Sequence, residues 1–255
     1  MRLPLAIALL FLPLALSQRL PDVYMDESHG DPPFLSQPGW RSLLNGSDLT
    51  GWRSVDGSAH QWFTSKSVVW RRVFNPIPLV AKPEPGDRIA NGRDGKTANL
   101  VTEEKFGSFE LYVEFMVARG SNSGVYLHGL YEVQIFDSHG YSGPLTVGDC
   151  GGIYQQEDGT GGSPPAVNAS RPPGEWQSFH IWFQAPRFDA AGKKTANARV
   201  LRVLFNDTHV QENVEIPGPT VSHMKIPEAA TNPIMLQGDH GPVAFRNIYI
   251  CGLNR

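Results

Sequence analysis

Apolar and polar residues alternate with a period of two along much of this chain. Over 108–117, Phe109, Leu111, Val113 and Phe115 fall on one side and Glu110, Tyr112 and Glu114 on the other, the pattern of a strand with one buried face. WQSFHIWFQA, from Trp176, alternates more loosely. ARVLRVLFND, from Ala198, reads as a strand that ends in an Asn-Asp turn and returns as HVQ. Further short strands are predicted over 62–70, 98–101, 124–127, 131–136, 234–237 and 243–250. No segment has the periodicity of a long amphipathic helix. Many short strands parted by Gly and Pro turns predict an all-β fold, a two-sheet sandwich. The stretches 75–97 and 138–175 are too rich in glycine and proline for core strands, so they are expected to form the rims and lids of a binding face.

The ends of the chain refine this picture. MRLPLAIALLFLPLALSQ, residues 1–18, has one basic residue, an apolar run and then small residues, which is the pattern of a cleaved secretory signal peptide and too short for a membrane span. Residues 19–37 are polar, contain proline and read as a flexible lead-in. About 235 residues then remain, enough for one substantial core, and 38–255 is expected to be a single domain. The expected location is secreted, periplasmic or extracellular.

A formal net charge of −3 leaves no electrostatic footprint for nucleic acid. Cys150 and Cys251 are the only cysteines, and in an oxidising compartment they are candidates for a disulfide. No CxxC or HExxH marks a zinc site. Asn45, Asn168 and Asn206 begin glycosylation sequons.

The run SNSGVYLHGLYEVQIFDSHG concentrates the candidate chemistry. On a strand, Glu132 and Gln134 share one face while Val133 and Ile135 point to the other. A one-residue bulge after Gln134 would bring Asp137 to the same face as Glu132. Two carboxyls would then flank a cleft, as glycosidic chemistry requires.

The chain resembles the 3-keto-disaccharide hydrolase domain family. The resemblance is carried in order by WRSLLNGSDLTGW, NLVTEEKFGSFELYVEFMV, NSGVYLHGLYEVQIFD, GGIYQ, PPGEWQSFHI, LFNDTHV and IMLQGDHGPVAFRNIYI. It implies a jelly-roll sandwich of the concanavalin/laminin-G-like kind and the cleavage of sugars already oxidised at C3. EVQIFD is also similar to the E-x-D-x-x-E active-site strand of retaining β-glucanases with this fold, although Gln134 and Asp137 replace two of its acids. His128 stands where the family often has arginine. Related jelly rolls often bind calcium, so the resemblance leaves calcium or another divalent metal open as a cofactor, with Asp94, Asp149 and Asp158 in suitable glycine-rich loops. No motif demands a cofactor, and no residue is assigned as a metal ligand by spacing.

The candidate catalytic residues are therefore Glu132 as base or nucleophile, Asp137 as acid and His240 in the glycine-flanked turn of LQGDHG. Gln134, Gln237, Asn122 and Tyr154 are candidate saccharide-binding residues, and His128 could donate a hydrogen bond to the sugar. Arg246 is expected to pair with Glu132 or Asp137 or to reach into the groove, with a scaffold salt bridge as the alternative. The leading function is an exported enzyme that cleaves 3-keto-glycosides by removing the C2 proton, eliminating the aglycone and adding water. A direct two-carboxylate glycoside hydrolase and a non-catalytic carbohydrate-binding or adhesion domain are the alternatives. The partner expected is a saccharide, with no nucleic acid and no membrane span, and the oligomeric state is left open.

Overall fold

Phe109, Leu111, Val113, Phe115, Phe179, Phe183, Phe205 and Phe245 are buried between two antiparallel sheets, and this apolar layer is what the alternation in sequence builds. The computed structural model describes residues 32–71 and 78–253. The predicted leader over 1–18 and the lead-in as far as residue 31 lie outside the described residues.

The larger sheet has the order Thr208–Ile216, Ala198–Phe205, Gln177–Gln184, Phe109–Val117, Val243–Gly252, Arg88–Ala90 and Phe63–Ser65, with Arg41–Ser42 also beside Val243–Gly252. The smaller sheet has the order Tyr131–Phe136, Asn122–Leu127, Met235–Leu236, Leu100–Thr102 and Trp52–Ser54. Neighbours in both sheets run antiparallel. The architecture is the jelly-roll sandwich expected, an all-β fold in which the described residues contain one short 3-10 turn, Pro33–Ser36, and no α-helix. No helix among the described residues is long and apolar enough to cross a membrane.

The two sheets bury side chains differently. In Phe109–Val117 the odd residues pack into the inter-sheet core, and the even ones face outward, where Met116 joins Trp70, Trp176, Ala90 and Ala244 in a second apolar cluster. The hairpin of Val68–Trp70 and Leu79–Ala81 contributes Val68, Trp70 and Leu79 to that cluster. The smaller sheet points Val125, Leu127, Tyr131, Val133, Ile135 and Leu236 inward. Its outer face carries Val101, Tyr126 and Met235, and Met224 from a later loop lies against them.

Cys150 and Cys251 are both free thiols, so the disulfide considered from sequence is absent. Cys150 is buried in the inter-sheet core. Cys251 pairs in register with Glu110 on the outward side of the larger sheet and lies against Gly39.

Candidate active site

Glu132 is placed by an unbroken register. Tyr131–Phe136 pairs with Asn122–Leu127 at six consecutive positions without a shift, so the bulge expected after Gln134 is not formed. Strand parity therefore keeps Glu132 and Gln134 together on the outer face and leaves Asp137 out of step with them. Asp137 instead closes the turn ahead of the paired strand Asn122–Leu127: its Oδ2 accepts a hydrogen bond from the Gly120 N–H at 2.8 Å, and its own N–H donates to the Ser121 carbonyl. Its carboxylate serves as a backbone cap at a strand end, which corrects its assignment as the acid partner of Glu132.

The outer edge of the Tyr131–Phe136 strand is covered by a loop. The Gln134 N–H donates to Gly152 O, and the Gly151 and Tyr154 N–H groups donate to Gln134 O and Glu132 O. The Glu132 N–H donates to Thr220 Oγ1 at 3.0 Å. The backbone on either side of the carboxyl is thus fixed, as a preorganised group requires.

The Glu132 side chain is 3% exposed and lies flat over Gly124, where a Cβ would overlap its Oε1. Glycine at 124 makes room for the carboxyl. Tyr126, the register partner of Glu132, places its hydroxyl 2.8 Å from Glu132 Oε2 and 3.1 Å from the Val221 carbonyl. Burial pushes the carboxyl pKa up to about 8; the Tyr126 hydrogen bond opposes the rise and the negative charge of Asp239 adds to it. Burial, followed by the charge of Glu132, raises the Tyr126 phenol well above its ordinary range, with Asp239 and Tyr154 as smaller contributors. These effects place Asp239 and Tyr154 within electrostatic reach of the site.

The turn that carries Asp239 and His240 is held by one buried amide. Asn91, with no exposed surface, donates through Nδ2 to Gly238 O at 3.0 Å and Gly241 O at 2.8 Å, and its Oδ1 accepts from the Val243 N–H at 2.9 Å. Between those two carbonyls, His240 Nδ1 lies 2.6 Å from Asp239 Oδ1, with both side chains about half exposed (51% and 49%). A carboxylate on Nδ1 fixes the ring and the tautomer in which Nε2 accepts a proton. The His240 carbonyl accepts from the Asn122 N–H, which sets Asn122 beside this turn.

Gln237 donates its N–H to Gly124 O, so Gln134 and Gln237 stand on opposite sides of Gly124 in adjoining strands. Their Oε1 atoms are buried without a hydrogen-bond partner among the described residues. Such groups are the ones a polyhydroxylated ligand satisfies.

The structure groups Glu132, Gln134, Gln237 and Tyr126 around Gly124, sets the Tyr154 backbone on that of Glu132 and the Asn122 backbone on that of the Asp239–His240 turn, and adds Thr220 and Asn91 as backbone supports. Asp239 and Tyr126 carried signals in the sequence: the acid beside His240, and the aromatic that hairpin pairing sets opposite Glu132. Asn91 lies in another segment and carried none.

Arg246 does not belong to this group. Its Nε donates to Glu114 Oε2 at 2.6 Å, and its guanidinium carbon lies 4.3 Å from the centre of the Trp176 ring. Arg246 and Glu114 are register partners on the outward face of the larger sheet, with the inter-sheet core between them and Glu132. The Tyr112 hydroxyl and Asn247 Nδ2 complete the shell of Glu114.

His128 is also misplaced by the sequence reading. It occupies the turn after Asn122–Leu127 with φ of 56° and is buried against the rings of Phe109, Phe183 and Tyr131. Its Nε2 lies 3.0 Å from Gly107 O. Burial lowers its pKa to about 4, against the raising effect of the Gly107 and Phe106 carbonyls. The unfolded chain therefore takes up the proton first as pH falls from about 6.5, and stability is lost between there and about 4. The loss attributable to His128 is expected to reach about 3 kcal/mol. Urea titrations of wild type and His128→Asn, a residue that tolerates the left-handed turn, should diverge in slope across that window. Parallel pH dependences would contradict a neutral buried His128.

The loop aspartates considered for a metal do not gather: no group of three or more His, Cys, Asp or Glu suited to a cation occurs among the described residues. Asp149 is engaged by Ser138 and Thr146 and Asp158 by Thr160, the bonds of loop caps.

A buried carboxyl and a carboxylate-oriented histidine are groups equipped for proton transfer, as a carbohydrate-active enzyme of the glycoside-cleaving kind requires. Residues 39–251 match the model of the 3-keto-alpha-glucoside-1,2-lyase-like domain, and the chain belongs to that family. A proposed glycosyl hydrolase from Parabacteroides distasonis, known from its crystal structure, is 30% identical with a TM-score of 0.61, covering 85% of this chain and 84% of its own. Two other proposed glycosyl hydrolases from that organism share the fold, at 18% identity and TM-score 0.53 over 85% of this chain and 94% of theirs, and at 22% and 0.50 over 84% and 99%. No curated protein matches the chain.

Proposed function

We propose that the protein cleaves 3-keto-α-glucosides by elimination across C1 and C2. The observation that carries this reading is Glu132, a buried carboxyl of raised proton affinity, within electrostatic reach of Asp239, which is bonded to the solvent-facing His240. Two proton-handling groups in unlike environments are what an acid–base elimination needs. The family match to a 1,2-lyase-like domain supports it.

A ketone at C3 acidifies the C2 hydrogen. One group removes that proton, the C2–H electron pair becomes the C1=C2 double bond, and the C1–O bond breaks with its pair moving to the glycosidic oxygen. A second group protonates that oxygen, which leaves as the aglycone alcohol. Water added to the enone then gives net hydrolysis. Gln134 and Gln237, with Asn122 and Tyr154 nearby, hold the sugar hydroxyls. The leader-like residues 1–18 support action outside the cytoplasm.

The test pairs α-glucosides with their 3-keto derivatives in deuterated water, with products followed by mass spectrometry. Release confined to keto substrates, with deuterium at C2 of the sugar product, is the expected result. Release from unoxidised glucosides would replace elimination by direct hydrolysis, with Glu132 and Asp239 as the carboxyl pair. Binding without release from either would leave a carbohydrate-binding module.

A further inference from the structure

The Tyr126 hydroxyl faces two acceptors with one proton to give. Glu132 Oε2 lies 2.8 Å away and the Val221 carbonyl 3.1 Å. If Tyr126 donates to an ionised Glu132, a buried carboxylate rests on one neutral side-chain donor and the Val221 carbonyl loses its hydroxyl bond. A protonated Glu132 donates to the Tyr126 oxygen instead, Tyr126 donates to Val221, and each proton has an acceptor.

The groups around Glu132 favour the second arrangement. On its own strand the nearest outward neighbour is neutral Gln134. The paired strand gives Tyr126 and the side-chain-free Gly124. The covering loop gives Tyr154, and the Thr220 hydroxyl already accepts from Glu132 N–H and bonds Leu130 O. His223, in the same loop as Val221, is turned to Thr220 O and Glu157. From the turn, Asp239 presents negative charge, and His240 is bonded to it. Among the described residues Glu132 has no ion pair with Lys, Arg or His, and a carboxylate buried beside another acid and without a cation is costly.

We propose that Glu132 is protonated in the resting protein and is the acid of the reaction, with Tyr126 as the positioning residue that accepts its O–H and relays its own to Val221. This deepens the elimination reading and rests on it for the catalytic role. The Glu132 proton passes to the departing glycosidic oxygen as the C1–O bond breaks, and His240 Nε2, oriented through Nδ1 by Asp239, takes the C2 proton.

Infrared spectroscopy of the mature protein without substrate tests the resting state apart from any activity. The wild-type minus Glu132→Gln difference spectrum at pH 7 should contain the C=O stretch of a protonated carboxyl, titrating with a midpoint near pH 8. Carboxylate bands alone at pH 7 overturn the proposal, whatever the substrate proves to be. With a 3-keto-glucoside, kcat/KM should fall on the alkaline side with the same midpoint. A rate that rises through pH 8 would make Glu132 the base and overturn its role as acid. Tyr126→Phe removes the carboxylate's side-chain donor and should move both midpoints up by about one pH unit; unmoved midpoints reduce Tyr126 to packing and overturn its positioning role. Should that variant not fold, the wild-type titration and pH profile decide the assignment.

Discussion

Glu132→Gln is expected to lower turnover of a 3-keto-glucoside by about 10²–10⁴-fold, the range of a lost general acid, while making the folded protein more stable at alkaline pH. Both effects have one cause. The folded carboxyl titrates near 8, against an ordinary value of 4.5, so between those values the native state binds the proton more tightly than the unfolded chain. Stability from this group is full below pH 4.5 and is lost as pH rises toward 8 and beyond. Glutamine carries no such charge to bury. The variant should therefore match wild type near pH 5 and exceed it by roughly 3–5 kcal/mol above pH 8. Chemical denaturation at the two pH values, beside a turnover assay, checks this. A variant that is inactive and no more stable at high pH would show that the carboxyl is not desolvated in the folded protein.

Arg246→Leu should behave in the opposite way. Glu114 and Arg246 are each only 6% and 5% exposed at the side chain and meet at 2.6 Å. Removing the guanidinium leaves Glu114 with the neutral donors Tyr112 and Asn247 and is expected to cost about 3–5 kcal/mol, the usual penalty for breaking a buried pair from one side. The ring of Trp176 also loses its cation. Catalysis by the folded fraction should be unchanged, because the pair and the proposed site at Glu132 are on opposite sides of the sandwich. Intact stability with lost turnover would instead return Arg246 to the substrate, where its sequence context had suggested it.

What the sequence could show here was parity, and what it could not show was partnership. Alternation in 108–117 and 131–136 identified which side chains share a face, and those strands form at Phe109–Val117 and Tyr131–Phe136. The same reasoning set Glu132 beside Gln134. It failed at Asp137 because a bulge is a property of two strands, and the partner Asn122–Leu127 keeps a regular register. It failed at Arg246 because an outward residue can face away on either sheet. Only the pairing of Val243–Gly252 with Phe109–Val117 assigns it to the larger sheet and to Glu114. His128 escapes the pattern because its left-handed turn folds the ring back into the core, and no alternation rule governs a turn. Asp239 is less conspicuous in sequence than His240, although the two side chains are hydrogen-bonded to each other.

The placement of the Glu132 site and the Glu114–Arg246 pair on opposite outer faces bears on how the molecule can be altered by design. Packed sheets lie about 10 Å apart, and side chains on the two outer faces share no partner across the core. Changes that strengthen the larger sheet's outer face should then combine with changes that re-tailor sugar recognition by simple addition, within about 0.3–0.5 kcal/mol. Robustness and specificity can be selected in separate libraries and merged, a freedom denied to folds whose active site occupies the core that holds them together.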